Sequence, residues 1–329
     1  MKLGTLKSQN KDGELVVVSK NNLTAAKVNH IAPNLQFALE NWNTCYSSLN
    51  DIYLQLNEGK YPRPIKVNEA DFHSPLPRAY QWLDGSAYIQ HVILVRKARH
   101  AELPETLKTV PLMYQGSSDS FLSPQEDIPL ISPSHGVDFE GEVGVITDFV
   151  PMGTKENEAL KLIRLCVIIN DVSLSGIIPE ELKGGFGFLQ GKPSSAFAPF
   201  AITPDELGVA WKDGRIHLPL RSELNGKWYG HPNAGEMFFS FGKLIEHACR
   251  TRSLCAGTII GSGTVSNEDE TVGSSCLAEK RMLEKIKTGE IQTPFLQVGD
   301  TIKFQMLSSN GENLFGTIFQ KVAKSNVTE

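Results

Sequence analysis

The chain of 329 residues carries 32 Lys and Arg against 37 Asp and Glu, a net charge of −5, with 40% hydrophobic and 21% charged residues. At a mean hydropathy of −0.19 it has the apolar content for a sizeable core, and its length suits one main domain and a smaller one. The acidic balance gives no global positive field to attract nucleic acid or an anionic membrane surface. The longest apolar run, about five residues from Leu165 to Ile169, falls far short of the roughly 20 that span a bilayer.

The N-terminus, Met1-Lys2-Leu3-Gly4-Thr5-Leu6-Lys7, turns polar before an h-region develops, so a cytoplasmic location is expected. Cys45, Cys166, Cys249, Cys255 and Cys276 form no C-x-x-C pair and are expected to be reduced and mostly buried. Residues 1–32 read as a β meander, with Gly13 to Val18 a β-rich run behind an Asp12-Gly13 turn signal. From Pro33 the period changes. Leu35, Ala38, Trp42, Tyr46, Leu49, Tyr53 and Leu56 recur at three- and four-residue steps until Gly59, predicting one amphipathic helix broken at most once. Pro62, Pro64, Pro75 and Pro77 then exclude a helix interior or central strand, and the domain boundary is placed there, dividing residues 1–75 from 76–329.

Beyond residue 78 the pattern is strand, turn, strand: Glu142 to Ile146, Leu165 to Ile169, Ile216 to Leu220 and Thr301 to Met306 are β-type runs, and Asn225-Gly226 and Asn310-Gly311 are hairpin signals. Helices are expected over Ala234 to Arg250, with Met237, Phe241, Leu244 or Ile245, and Ala248 on a core-facing side, and over Leu277 to Lys287. The fold class is therefore α+β, mainly β. The glycine-rich segment from Gly184 to Pro193 fails as a phosphate loop, because Phe186 and Pro193 stand where a Walker A loop needs Gly and Ser or Thr. It fails as a dinucleotide fingerprint because Gln190 takes the third glycine position. No G-x-S-x-G elbow and no H-E-x-x-H helix is present.

The segment Val137-Asp138-Phe139-Glu140-Gly141-Glu142-Val143-Gly144-Val145-Ile146 carries the most chemistry. On a strand, Glu140 and Glu142 share a face with Cα atoms roughly 6.5–7 Å apart. Two carboxylates that close repel unless solvent or a cation intervenes, and oxygen donors at this spacing suit Mg²⁺ or Ca²⁺ better than zinc. An exposed strand with alternating Glu is the ordinary alternative, but the apolar continuation argues for a sheet centre, where an unpaired carboxylate is costly. A third carboxylate, Asp171, ends the apolar run Leu165 to Ile169. A fourth, Asp84, lies seven residues before His91, a candidate base. The basic cluster Arg96, Lys97 and Arg99 follows and offers a partner for a substrate carboxylate.

The D-F-E-G-E-V strand, the N-D-V-S turn, the G-K-P-S-S-A-F-A-P-F segment at 191–200 and the I-I-G-S-G-T-V-S-N segment at 259–267 together resemble the fumarylacetoacetate hydrolase superfamily over roughly residues 80–320. Residues 1–75 resemble the smaller N-terminal β domain of the fumarylacetoacetases. The resemblance implies a mixed β-roll catalytic domain, usually dimeric, around a divalent metal: Mg²⁺ first, with Ca²⁺ or Mn²⁺ as alternatives. Carried over position by position, it assigns Asp84, Glu140, Glu142 and Asp171 as metal ligands and His91 as the water-activating base, oriented by Glu279. Lys192 matches the active-site lysine, while Thr264, Tyr114 and Arg96, with Arg99 as the alternative, match substrate-binding positions. The family's arginine four residues after the metal-binding Asp is Ser175 here, and the following glutamine has no clear counterpart. The implied activity is hydrolysis of a carbon–carbon bond in a small β-diketone acid, 4-fumarylacetoacetate first, in tyrosine or aromatic catabolism. Acylpyruvate hydrolase, 2-keto-4-pentenoate hydratase, oxaloacetate-type decarboxylase and a non-catalytic metal-binding protein remain as alternatives.

Overall fold

The computed structural model describes residues 1–98, 102, 103 and 105–327. The chain opens with the expected meander, β1 (Lys2–Leu6), β2 (Glu14–Val18) and β3 (Thr24–Lys27). The predicted amphipathic helix follows in two pieces, α1 (Leu35–Glu40) and α2 (Trp42–Asn57), with the break at Asn41. The Asn34 side chain caps the first piece by accepting the Phe37 N–H. Next come β4 (Trp82–Gly85), α3 (Ile89–Ala98), β5 (Met113–Gly116), β6 (Gly141–Thr147) and β7 (Ile163–Asn170). The second half adds α4 (Ile178–Gly184), β8 (Phe200–Ile202), α5 (Phe241–Ala248), β9 (Ile259–Gly261) and α6 (Leu277–Thr288).

A large sheet runs in the order Ile65–Lys66, β3, β2, β1, β8, β7, β6, β9, β4, β5. The N-terminal strands therefore continue into the sheet of the later residues: β1 pairs antiparallel with β2 on one side and with β8 on the other. A second, five-stranded sheet comprises Lys227–Gly230, Leu220–Leu224, Thr301–Met306, Ile318–Lys324 and Ile128–Leu130. Its hairpin at Asn225-Gly226 has both residues at positive φ, +53° and +69°, as a tight twisted turn demands.

The central strands are buried on both faces, which accounts for their unbroken apolar runs. Val143, Val145, Cys166 and Ile168 face a core shared with the second sheet and α5, whereas Ile146, Leu165, Val167 and Ile169 face a core closed by α1 and α2. Two expectations need correction. The run Ile216 to Leu220 is not one strand: Arg215–Ile216 and Leu220–Leu224 are separate, divided by a segment containing Pro219, which has no N–H to donate. The helix expected from Ala234 begins only at Phe241. Ser240 accepts the Lys243 N–H there as an N-cap, and Ala234–Glu236 is a separate 3₁₀ turn. All five cysteines are free thiols, four of them buried.

Candidate active site

The site forms along one edge of the large sheet, where four strand ends meet. Gly261 of β9 pairs with Asp84 of β4 on one side and with Gly144 of β6 on the other, while Gly141 pairs with Asn170, the residue before Asp171. Asp84, Glu142 and Asp171 each place a carboxylate oxygen within 4.8 Å of the others. All three are buried. Asp84 Oδ1 accepts the Gly263 N–H at 3.1 Å. Asp171 accepts from Lys192 Nζ and Tyr114 Oη at Oδ2 and from Ser195 Oγ at Oδ1, each at 2.6 Å. Neither buried oxygen of Glu142 meets a hydrogen-bond donor among the described residues.

Glu140 stands beside this triad and is held differently. Its Oε1 accepts from Ser173 Oγ at 2.8 Å, and its Oε2 accepts from Lys192 Nζ at 2.9 Å and Thr264 Oγ1 at 3.2 Å. Burial would raise the Glu140 carboxyl, but the Lys192 ammonium outweighs it and holds it below its ordinary range. Glu142 lacks such a partner, and burial together with the charges of Asp84 and Asp171 pushes it well above that range. Burial, then the neighbouring Asp171, raises Asp84 to about 8. For Lys192, four surrounding carboxylates overcome the burial penalty and lift its pKa well above the ordinary lysine value.

If all four carboxylates were ionised, one ammonium would leave an excess of negative charge that the described residues do not neutralise, and the raised Asp84 and Glu142 are its consequence. Oxygen-only donors, unpartnered Glu142 oxygens and this excess fit a hard divalent cation.

His91, on α3, places Nδ1 3.2 Å from Glu279 Oε2. The other Glu279 oxygen accepts from Ser274 Oγ at 3.1 Å. Burial alone would lower the His91 pKa, but the hydrogen bond and charge of Glu279, with the charge of Glu140, raise it. A cavity of about 220 Å³ joins His91 to Asp84, Glu140, Lys192, Tyr114 and Thr264. Ser175, Ile178, Leu182 and Phe188 line its other side. Larger hollows of about 540 and 640 Å³ lie around Arg215 and Arg252. Neither contains any of the four carboxylates, so chemistry rather than size identifies the site.

Nine of the ten sequence-predicted residues thus gather in one place. Arg96 does not join them: its Nη1 donates to the Glu102 carbonyl at 2.8 Å, and it is not among the residues lining the cavity. Arg99 lies outside the described residues. The sequence reading passed over Ser173, Ser195 and Ser274, which orient the carboxylates, and Asp138, which is fully buried and accepts the N–H groups of Leu277 and Ala278. Burial and the nearby Glu140 raise the Asp138 carboxyl to about 7, against the pull of those N–H bonds. A signal for Asp138 was present, because it precedes Glu140 by the same two-residue step that separates Glu140 from Glu142.

Residues 81–323 match the family profile of the fumarylacetoacetate (FAA) hydrolase C-terminal region, and residues 1–78 match fumarylacetoacetase N-terminal domain 2. A 2,4-didehydro-3-deoxy-L-rhamnonate hydrolase from Sphingomonas sp. (strain SKA58) is 28% identical over 183 residues, covering 55% of this chain and 59% of that protein. The oxaloacetate tautomerase YisK of Bacillus subtilis (strain 168) is 24% identical over 203 residues, covering 61% and 64% respectively. The chain thus spans about three-fifths of the length of these relatives. In fold, it is similar to a fumarylacetoacetate hydrolase from Exiguobacterium antarcticum (TM-score 0.67, 15% identity) and to a 5-carboxymethyl-2-hydroxymuconate delta-isomerase from Mycobacterium smegmatis (TM-score 0.62, 17% identity). Each covers 99% of this chain and 100% of the compared one. With the profile spanning most of its length and this fold around a buried carboxylate triad, the chain belongs to the fumarylacetoacetate hydrolase family.

Proposed function

We propose that the protein hydrolyses a carbon–carbon bond of a β-diketone acid in a divalent-metal-dependent reaction, with 4-fumarylacetoacetate the first substrate to test and fumarate and acetoacetate its products. The observation that carries this reading is the His91–Glu279 pair opening onto the same cavity as the carboxylate cluster. Asp84, Glu142 and Asp171 are the proposed cation ligands, with Glu140 as the fourth; Mg²⁺ is the proposed ion, and Ca²⁺ and Mn²⁺ accept the same donors. A cation held there supplies Lewis acidity toward the substrate's keto and enolate oxygens.

With its Nδ1 proton donated to Glu279, His91 keeps Nε2 free to take a proton from water, and the same carboxylate stabilises the imidazolium that results. The water oxygen adds to the carbonyl carbon, and the Lys192 ammonium stabilises the alkoxide. Collapse breaks the carbon–carbon bond. Its electron pair leaves as an enolate, to which the His91 imidazolium returns the proton. Tyr114 and Thr264 are the proposed substrate-binding side chains, as both line the cavity. A homodimer belongs to the same proposal and rests on the family resemblance. No described helix is long and apolar enough to cross a membrane.

A second reading is proton transfer on a keto acid without bond cleavage. It is favoured by Ser175 standing in place of the family's arginine, by the apolar wall of Ile178, Leu182 and Phe188 beside it, and by the tautomerase and isomerase among the similar proteins. Purified protein with Mg²⁺ and fumarylacetoacetate decides between them. Loss of the diketone's ultraviolet absorbance with equal amounts of fumarate and acetoacetate supports hydrolysis. No loss, together with faster deuterium exchange at the α-carbon of oxaloacetate, overturns hydrolysis and supports proton transfer.

A further inference from the structure

We infer that Asp138 is a positioning residue for the His91–Glu279 pair: by gripping the first turn of α6, its carboxylate fixes where Glu279 meets the imidazole. The inference rests on the proposed role of that pair. Asp138 lies in the short strand Val137–Asp138, paired with Ser173–Leu174, and is fully buried. Its Oδ1 accepts the Leu277 N–H and its Oδ2 the Ala278 N–H, both at 2.8 Å.

These are the first two residues of a 12-residue helix, and such N–H groups have no partner within the helix itself. The cap residue, Cys276, offers only a thiol sulfur, a weak acceptor, which takes the Glu279 N–H at 3.3 Å. A remote carboxylate therefore supplies what a local Ser, Asp or Asn cap ordinarily does. Two bonds from one rigid carboxylate to successive N–H groups fix both the height and the rotation of the helix end.

The next residue is Glu279. Its side chain is 3% exposed and reaches His91 through Oε2 at 3.2 Å. The same chain segment continues to Glu140, which forms a β-bridge with Cys276, and then to Glu142. One extended stretch thus sets the carboxylate cluster with residues 140 and 142 and the dyad with residue 138. Asp138 is not among the residues lining the cavity; it acts through α6.

The test compares Asp138→Asn, Glu279→Gln and the double variant in the full-length Mg²⁺-loaded protein. The readouts are kcat, KM and the His91 ring resonances by NMR, assigned with His91→Gln. The expected result is a roughly 10- to 100-fold loss of kcat in Asp138→Asn, the scale of a misplaced catalytic group, with KM within about twofold of the parent as an order-of-magnitude expectation. Little further loss should appear when Asp138→Asn is added to Glu279→Gln, and the His91 resonances should shift toward those of Glu279→Gln. Unchanged His91 resonances with a lowered melting temperature would show a purely structural residue, and multiplicative losses in the double variant would show that Asp138 does not act through Glu279. Either result overturns the inference. Because the resonances are read without turnover, absence of hydrolase activity refutes the proposed reaction while leaving this test intact. Should Asp138→Asn not fold, Ala278→Pro removes one of the two N–H groups from the helix side, in a first-turn position that tolerates proline, and the same resonances decide.

Discussion

Glu142→Gln is the sharpest test of a cation site, because it reverses sign with metal. The three carboxylate oxygens lie within 4.8 Å of one another, so each ionised pair costs at least about 3 kcal/mol at an effective dielectric of about 20. At pH 7 Asp84, raised to about 8, is mostly protonated, so one such pair, with Asp171, ends on Glu142, and burial of the charge adds to its cost. Its alternative is to keep a proton, and against an ordinary value of 4.5 this costs about 3 kcal/mol at pH 7, from roughly 1.4 kcal/mol per pH unit. Protonation is the smaller cost, in agreement with the raised Glu142 pKa. Without metal, the folded protein therefore binds more protons than the unfolded chain above pH 4.5, and this contribution lowers stability as pH rises, up to the folded pKa. Glutamine needs no proton, so metal-free Glu142→Gln should be more stable than the parent by up to about 3 kcal/mol at pH 7, with the gap growing as pH rises toward the folded Glu142 pKa. With saturating Mg²⁺ the order should reverse, since the variant forfeits a ligand and the binding energy linked to it. Urea denaturation in EDTA and in Mg²⁺ at pH 6, 7 and 8 measures both. The reasoning fails if Glu142→Gln is the less stable protein in EDTA at every pH, or if Mg²⁺ stabilises both proteins equally.

Other outcomes follow from the same geometry. Mg²⁺ affinity should rise from pH 6 to 8, because Asp84, raised to about 8, and Glu142 must release protons to ligate; calorimetry in buffers of different ionisation enthalpy would count those protons, and a pH-independent affinity would count against the site. In Glu279→Gln, His91 loses the carboxylate charge that raises its pKa. A base works only when deprotonated, so the acid limb of the kcat profile should move to lower pH while the plateau falls; an unmoved limb would remove His91 as the base. Gly261→Ala would put a Cβ 2.3 Å from Asp84 Oδ1 and 2.4 Å from the Trp82 ring. It should destabilise the protein by about 1–3 kcal/mol and weaken Mg²⁺ binding by isothermal titration, whereas unchanged affinity would mean that Asp84 is not a ligand.

The carboxylates were legible because they obey strand geometry: Glu140 and Glu142 at a two-residue step, Asp171 where an apolar strand stops. Their unequal treatment was not legible. Lys192, Ser173 and Thr264 bond Glu140 from 52, 33 and 124 residues away, and nothing local to the strand shows that they leave Glu142 bare. The helix α3 was missed for a related reason. Ile89-Gln90-His91-Val92-Ile93-Leu94 is rich in β-branched residues and reads equally well as strand; its packing against α6, the partner that carries Glu279, decides for helix. The N-terminal meander was readable, but β1 joins its two edges to β2 and to β8, and a partner near residue 201 leaves no mark on residues 2–6.

The sheet register explains why glycine stands at the centre of the acidic edge. Trp82, Ile146 and Ile259 face the core beneath α1 and α2. Side chains alternate along a strand, so Asp84, Glu142 and Gly261, two or four residues from them, project from that same face at the sheet's end. Asp84 and Glu142 belong to strands separated by β9. Two inter-strand steps of about 4.8 Å would keep their backbones nearly 10 Å apart, too far for carboxylates to share an ion across an intervening side chain. Gly261 supplies none, and the place a Cβ would take is crowded by Asp84 Oδ1 itself. The gap left by one missing Cβ is what lets carboxylates from non-adjacent strands converge to within 4.8 Å. The buried sheet below holds them against their mutual repulsion.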